Sequence, residues 1–132
     1  MTRIDHVALE IPRFDEHLAL LTEHLGLRIV REGRRYSTGQ RIVMVTDDHG
    51  FKLELIEATP DGDTGHATEV FQHLAVRADD VAATHADLLA TGATEQRPPH
   101  RLDAARADTS LVRLGDLAVQ VVHYDPDSPD LT

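Results

Sequence analysis

The segment Ile4-Asp5-His6-Val7-Ala8-Leu9 recurs as Phe71-Gln72-His73-Leu74-Ala75-Val76, 67 residues further along the chain. Each copy is followed by a helix-like segment and ends in an apolar strand with one polar side chain, Glu54 in the first copy and Gln120 in the second. The intervals nearly agree, with 48 residues from His6 to Glu54 and 47 from His73 to Gln120. A repeat of this kind indicates a duplicated structural unit. The pattern predicts two similar halves, each offering an imidazole and a side-chain oxygen.

The hydrophobic pattern predicts the same order of elements, β-α-β-β-β, in both halves. The first half has strands at 4–10, 27–32, 41–46 and 51–57. Between the first two strands lies a helix whose apolar residues repeat at helical spacing, Phe14, Leu18, Leu21 and Leu25, with a glycine stop at Gly26. The second half has a strand at 70–77, a helix capped by Asp79 or Asp80 that runs to about Ala90, a weak strand at 94–97, and strands at 109–114 and 117–124. We expect Pro98-Pro99-His100-Arg101 to break the strand pattern. These elements predict module one at 3–58, a linker at 59–68, module two at 69–124 and a frayed tail at 125–132, all in a single domain 1–132.

The composition limits the possible classes of function. A formal net charge of −10 argues against a nucleic-acid partner, because phosphate binding needs lysine and arginine. There are no cysteines, so disulfide and thiolate chemistry are excluded. No apolar run approaches the roughly 20 residues that cross a bilayer, and the start lacks the apolar stretch of a secretory signal. We therefore expect a cytoplasmic protein without a membrane partner.

The four repeated polar side chains predict a metal centre. Side chains alternate between the two faces of a strand, so His6, Glu54, His73 and Gln120 all lie opposite the aliphatic face of their strand. If the aliphatic faces pack on helices, the polar four line the inner face of a curved sheet. Imidazole is a common ligand of first-row metals, Glu54 adds an anionic oxygen, and Gln120 offers a weaker neutral oxygen. With nine histidines in the chain, any single match is weak; the joint placement in both copies carries the prediction.

At these positions the chain resembles the vicinal oxygen chelate superfamily, which includes glyoxalases, methylmalonyl-CoA epimerases, extradiol dioxygenases and bleomycin-binding proteins. The resemblance is carried by the two repeated segments, by Leu25-Gly26-Leu27 and by Lys52-Leu53-Glu54-Leu55-Ile56-Glu57. It implies an α+β fold in which two tandem βαββ modules form a curved mixed sheet around a cleft, with helices on the outer face. It also implies that His6, Glu54 and His73 are metal ligands and that the protein is a homodimer. The fourth ligand of metal-dependent relatives is usually Glu, and here Gln120 stands in its place.

Three functions fit these residues. The leading hypothesis is a metal-dependent lyase or isomerase that acts on a small-molecule carbonyl substrate, with Glu54 as the catalytic base. The second is a metal-free protein that binds an antibiotic or another small molecule, and the third is an Fe(II) extradiol-type dioxygenase. The ligand types leave the ion open among Zn, Ni, Co, Mn and Fe. A two-base epimerase would need a second carboxylate, so proton shuttling by one carboxylate fits these residues slightly better.

Overall fold

The computed structural model describes residues 3–36, 38–58 and 70–131. The predicted linker at 59–68 lies outside these residues, and the module boundaries stay a prediction. Within these ranges the chain forms eight strands and two helices in the predicted order, β-α-β-β-β twice, which confirms the α+β class. The elements are β1 (Arg3–Ile11), α1 (Phe14–Ala19) followed by a π-helical turn (Leu20–His24), β2 (Arg28–Arg34), β3 (Arg41–Thr46), β4 (Lys52–Glu57), β5 (Val70–Arg77), α2 (Val81–Ala90), β6 (Thr94–Leu102), β7 (Ala107–Leu114) and β8 (Leu117–Tyr124). Among the described residues, no helix is long and apolar enough to cross a membrane.

The chain divides into two compact units. The first unit is Val7–Gln72, and the second unit is Met1–His6 together with His73–Thr132. The first unit therefore contains α1, β2, β3, β4 and most of β1, whereas the second contains α2, β6, β7, β8 and most of β5. Two of the residues predicted as ligands, His6 and His73, belong to the second unit, although they come from the starts of the two sequence repeats.

In the first unit, the core lies between α1 and the aliphatic face of the strands. Strands β2 and β3 pair antiparallel, and so do β3 and β4, with Val43 opposite Leu55 and Met44 opposite Glu54. The buried residues on the helix side are Ile11, Phe14, Val43, Val45 and Leu55. Because alternate residues of a strand face opposite ways, Glu54 lies on the face away from this core, as the sequence predicts.

In the second unit, β5 pairs parallel with β8, and β8, β7 and β6 pair antiparallel in turn, so this sheet is mixed. The helix α2 begins after Asp80, whose carboxylate accepts a hydrogen bond from the Ala83 amide as an N-cap. At the start of α2, Val81 packs in a buried cluster with Ala78, which precedes the helix, and with Val121 of β8. Gln120 pairs with Ala75, so both lie on the opposite face of the sheet.

Three expectations about the ends of elements are wrong. Pro98 and Pro99 do not break the chain into a loop, because β6 continues through them to Leu102. They are tolerated because β6 is paired on one side, with β7, and its register shifts between Arg97 and His100. Leu25 does not join the apolar stripe of α1; it is exposed, because the chain passes through a π-helical turn before it.

The third correction concerns the tail that follows Tyr124, which is packed rather than frayed. The side chains of Ser128 and Asp130 are buried. The Ser128 hydroxyl donates a hydrogen bond to the Ala105 carbonyl, and the Asp130 amide donates to the same hydroxyl at 3.1 Å. These contacts supply partners for polar groups that would otherwise be costly to bury.

Candidate metal centre

The two repeated histidines meet inside the second unit. His6 lies on β1 and is 3% exposed, and His73 lies on β5 and is 9% exposed. Their Nε2 atoms are 3.4 Å apart, and the rings stand edge to face with centroids 5.5 Å apart and planes at 72°. Two buried ring nitrogens that face each other need a proton or a cation between them, because two facing lone pairs would leave both without a partner.

The second ring nitrogen of His6 has a carboxylate partner. Its Nδ1 donates a hydrogen bond of 2.6 Å to the Oδ2 atom of Asp5, which is itself buried. Since an imidazole that is neutral carries one proton, a proton on Nδ1 leaves the Nε2 lone pair free to face His73. This is the form in which a histidine binds a metal through Nε2.

Two further side chains of the second unit hold Asp5. The Arg77 Nε atom donates to Asp5 Oδ1 at 2.7 Å, and the Tyr124 hydroxyl donates to Asp5 Oδ2 at 2.5 Å. Burial raises the pKa of the Tyr124 hydroxyl above its ordinary value, and the charge of Asp5 raises it further, so Tyr124 keeps its proton and remains a donor. The guanidinium of Arg77 also lies over the Tyr124 ring, 5.3 Å from its centroid.

The repeat does not predict the roles of Asp5, Arg77 and Tyr124. Neighbouring side chains of a strand ordinarily point to opposite faces, so the pattern does not place Asp5 beside the His6 ring. Arg77 and Tyr124 lie 72 and 119 residues from Asp5 along the chain, and no local pattern links them. The available signal was an acidic residue directly beside a predicted metal ligand.

Gln120 lies on β8, on the face of the sheet that the sequence predicts. Its amide nitrogen donates to the Thr109 hydroxyl at 2.9 Å, and that hydroxyl donates to the Val121 carbonyl at 2.8 Å. This chain of hydrogen bonds fixes the amide nitrogen and leaves the amide oxygen as the atom available to a ligand. A role for Gln120 as a metal ligand stays a prediction.

Glu54 belongs to the first unit, in the middle of β4. Its side chain is mostly buried, and its Oε2 lies 3.8 Å from the Nη2 of Arg31 on β2. Arg31 and Glu54 both pair with Met44 of β3, so the three form a row across the strands. No pattern in the sequence singles out Arg31 as the neighbour of Glu54.

Two further histidines of the second unit, His85 and His123, have hydrogen-bond partners of their own. His85 is buried in α2 and contacts Ser110 and Glu95. His123 faces the α2 side of the sheet and donates to the Ala78 carbonyl at 3.1 Å. An open cleft on that side has a volume of about 420 Å³ and includes neither His6 nor His73. It is lined by Asp79, Asp80, Val81, Ala82, Pro99, His100, Arg101, Asp108 and His123.

The chain was compared with known proteins. Solved structures with the same fold include a hypothetical protein from Bacillus halodurans, which is 15% identical with a TM-score of 0.78 over 96% of this chain and 97% of that one. They include a variant of methylmalonyl-CoA epimerase from Streptomyces coelicolor in complex with 2-nitronate-propionyl-CoA, which is 20% identical with a TM-score of 0.76 over 94% and 98% of the two chains. A variant of 4-hydroxymandelate synthase from the same organism is 19% identical with a TM-score of 0.75, over 98% of this chain and 40% of that one.

At these identities the structural likeness establishes the fold. A search of curated protein sequences finds no match. The family model described as Glyoxalase/Bleomycin resistance protein/Dioxygenase superfamily matches residues 3–126, which is nearly the whole chain. The resemblance that the repeated segments indicate is therefore confirmed, and the chain belongs to the glyoxalase/bleomycin resistance protein/dioxygenase superfamily.

Proposed function

We propose that this protein is a metal-dependent lyase or isomerase whose divalent ion is held by His6, His73 and Glu54, with Gln120 as a weaker fourth ligand. The observation that carries the proposal is the buried histidine pair, in which two Nε2 atoms from equivalent repeat positions lie 3.4 Å apart. Glu54 is proposed from its matching place in the first repeat and from its position opposite the aliphatic core of β4.

The distance between the two imidazoles fits a shared ion better than a direct hydrogen bond. Hydrogen bonds from nitrogen donors are ordinarily about 2.7–3.2 Å long, so 3.4 Å is long for one. Two nitrogens bound tetrahedrally at about 2.0–2.1 Å from one zinc ion stand about 3.3–3.4 Å apart. The proton on Nδ1 of His6 also presents the lone pair that such an ion requires. The donor set therefore fits a divalent metal.

The bound ion supplies Lewis-acid polarisation of a substrate carbonyl oxygen, which acidifies the adjacent carbon. Glu54 is the general base that accepts the proton from that carbon and returns it. Such a base must be able to reach the carbon and to exist as a carboxylate at the working pH. Arg31, close to Glu54, places a permanent positive charge on the same face of the strands.

Metal analysis of protein purified without a His tag tests the proposal. We expect about one equivalent of divalent ion in the wild type after loading, and a loss of binding in His6→Ala and in His73→Ala while the fold is retained. His49→Ala is the matched control, because His49 is exposed in a turn and should leave the content unchanged. Less than about 0.1 equivalent in the wild type, with no uptake of added Zn, Ni, Co, Mn or Fe, would instead favour a metal-free binding protein.

The role of Glu54 needs a second measurement. In loaded protein, solvent deuterium should enter carbonyl and thioester test compounds at the carbon next to the carbonyl, and Glu54→Gln should abolish this exchange. Oxygen consumption with a catechol by the iron-loaded protein, without deuterium exchange, would favour a dioxygenase, since two histidines and one carboxylate suit Fe(II). Exchange that persists in Glu54→Gln, or oxygen consumption without exchange, would overturn the assignment of Glu54 as the base.

We also propose a homodimer as the working form. Small halves bury relatively little surface by themselves, and β6 is exposed along most of its length. Large apolar side chains that are exposed include Ile4, Leu25, Ile29, Leu114 and Leu117. Sedimentation velocity at micromolar concentration should give the mass of two chains, and the mass of one chain would contradict the proposal.

A further inference from the structure

The carboxylate of Asp5, which is itself buried, lies at the centre of a set of hydrogen bonds. It accepts from three donors that come from three strands: His6 on β1, Arg77 on β5 and Tyr124 on β8. An ionised carboxylate can only accept hydrogen bonds, so each of the three partners must bring its own proton. Arg77 is permanently charged, and Tyr124 is a protonated phenol, so both always can.

Of these three partners, His6 is the one whose proton can sit on either of two atoms. A neutral imidazole places its proton on either Nδ1 or Nε2, and its neighbours decide which. Because Asp5 accepts only, the proton is held on Nδ1, and the lone pair on Nε2 points toward His73. Arg77 and Tyr124 keep the carboxylate from turning away, since each occupies one of its two oxygens.

The geometry points to Asp5 as a positioning residue, clamped by Arg77 and Tyr124, that fixes the tautomer and the ring orientation of His6 for the ion. This inference rests on the proposed metal site and adds a specific role for a residue that does not touch the ion. A carboxylate behind a metal-binding histidine also makes the imidazole a stronger donor. At the equivalent position of the second repeat stands Gln72, an amide, which donates to Glu10 at 2.9 Å.

The first test is a competition titration of Zn(II) against a chelating dye, with untagged protein. Asp5→Asn should weaken zinc binding by about 10- to 100-fold, the usual effect of losing such a partner. The reason is that an asparagine amide can donate to Nδ1 and so stabilise the wrong tautomer. Tyr124→Phe removes one of the three donors and should have a smaller effect, under about tenfold. Gln72→Ala is the matched control beside the other histidine and should change the affinity by less than about twofold.

The second test reads the tautomer directly, by ¹⁵N NMR of the imidazole in metal-free protein. The wild type should show His6 protonated at Nδ1, and Asp5→Asn should shift the proton to Nε2. A residue that only supported the fold would not change this signal. If Asp5→Asn fails to fold, the wild-type spectrum and Tyr124→Phe still decide the matter.

The outcomes separate this inference from the proposed function. If the wild type binds zinc while Asp5→Asn binds it equally well, or if His6 in the wild type carries its proton on Nε2, the role of Asp5 is overturned and the metal site stands. If the wild type takes up no ion, the metal site itself is overturned. A wild-type His6 protonated at Nδ1 would then assign Asp5 only to the orientation of the ring.

Discussion

The buried histidine of α2 allows a quantitative test of how this fold satisfies its polar groups. His85 Nδ1 lies 2.8 Å from the Ser110 hydroxyl, and His85 Nε2 lies 2.8 Å from a carboxylate oxygen of Glu95. His85 is 4% exposed and Ser110 is 0% exposed, whereas the side chain of Glu95 is 45% exposed. Water can therefore replace Glu95 as a partner of the ring but cannot replace Ser110.

This difference sets the expected magnitudes. Ser110→Ala leaves Nδ1 of His85 buried without a partner, which costs about 1–3 kcal/mol of unfolding free energy. Glu95→Ala should cost less than about 1 kcal/mol, as exposed pairs usually do. His85→Leu leaves the Ser110 hydroxyl without its partner in turn. The double variant His85→Leu/Ser110→Ala removes both ends of the hydrogen bond, so its cost should fall below the sum of the two single costs by about 1 kcal/mol or more.

Urea denaturation followed by far-ultraviolet circular dichroism suits this chain, which has no tryptophan to report by fluorescence. Thr91→Ala is the control, because the Thr91 hydroxyl makes an exposed hydrogen bond to the Leu88 carbonyl and its loss should cost under about 1 kcal/mol. The reasoning is refuted if the single costs add within about 0.5 kcal/mol in the double variant, or if Ser110→Ala costs no more than Glu95→Ala.

Three other predictions follow from particular contacts. Leu55→Ala, in the core of the first unit, should lower the unfolding free energy by about 2–5 kcal/mol, while Leu25→Ala at an exposed position should cost under about 0.5 kcal/mol in the same urea assay. The hydrogen bond from Arg101 lowers the pKa of Asp125, so Asp125→Asn should reduce stability above the unfolded carboxyl pKa of about 3.9, and thermal melts should show the difference disappear as the pH falls through the lowered folded value. Deleting residues 126–132 removes two buried polar side chains and should cost about 2 kcal/mol; an unchanged melting temperature would show that the tail is dispensable.

The sequence predicted the strands well where aliphatic residues on one face define the strand. The bounds of β3, β5 and β8 agree with the prediction, because each strand has a continuous aliphatic face that packs on a core. It failed where pairing overrides a local signal, as at Pro98-Pro99, which an edge strand with a register shift accommodates. It also failed at Leu25, because a π-helical turn changes the helical period that the apolar spacing assumes.

For the candidate site, the repeat predicted which histidines would meet but not what holds them. His6 and His73 occupy equivalent positions, so their proximity follows from a duplicated structure. The partners of Asp5 come from β5 and β8, and their approach depends on tertiary pairing that no spacing in the sequence encodes. A repeat specifies the residues that the copies share, whereas the contacts around Asp5 join one residue of the first copy to two residues of the second.

The two copies differ most in where they place negative charge. The first has carboxylates at both key positions, Asp5 before its histidine and Glu54 on its last strand, and the second has the amides Gln72 and Gln120. Each carboxylate has an arginine beside it, whereas the two amides donate to side-chain oxygens, Gln72 to Glu10 and Gln120 to Thr109. An amide cannot compensate the charge of a cation, so under the proposed function the first copy supplies all of the compensating charge and the base. Duplication then provides two equivalent imidazoles, and divergence at two positions gives the copies different tasks.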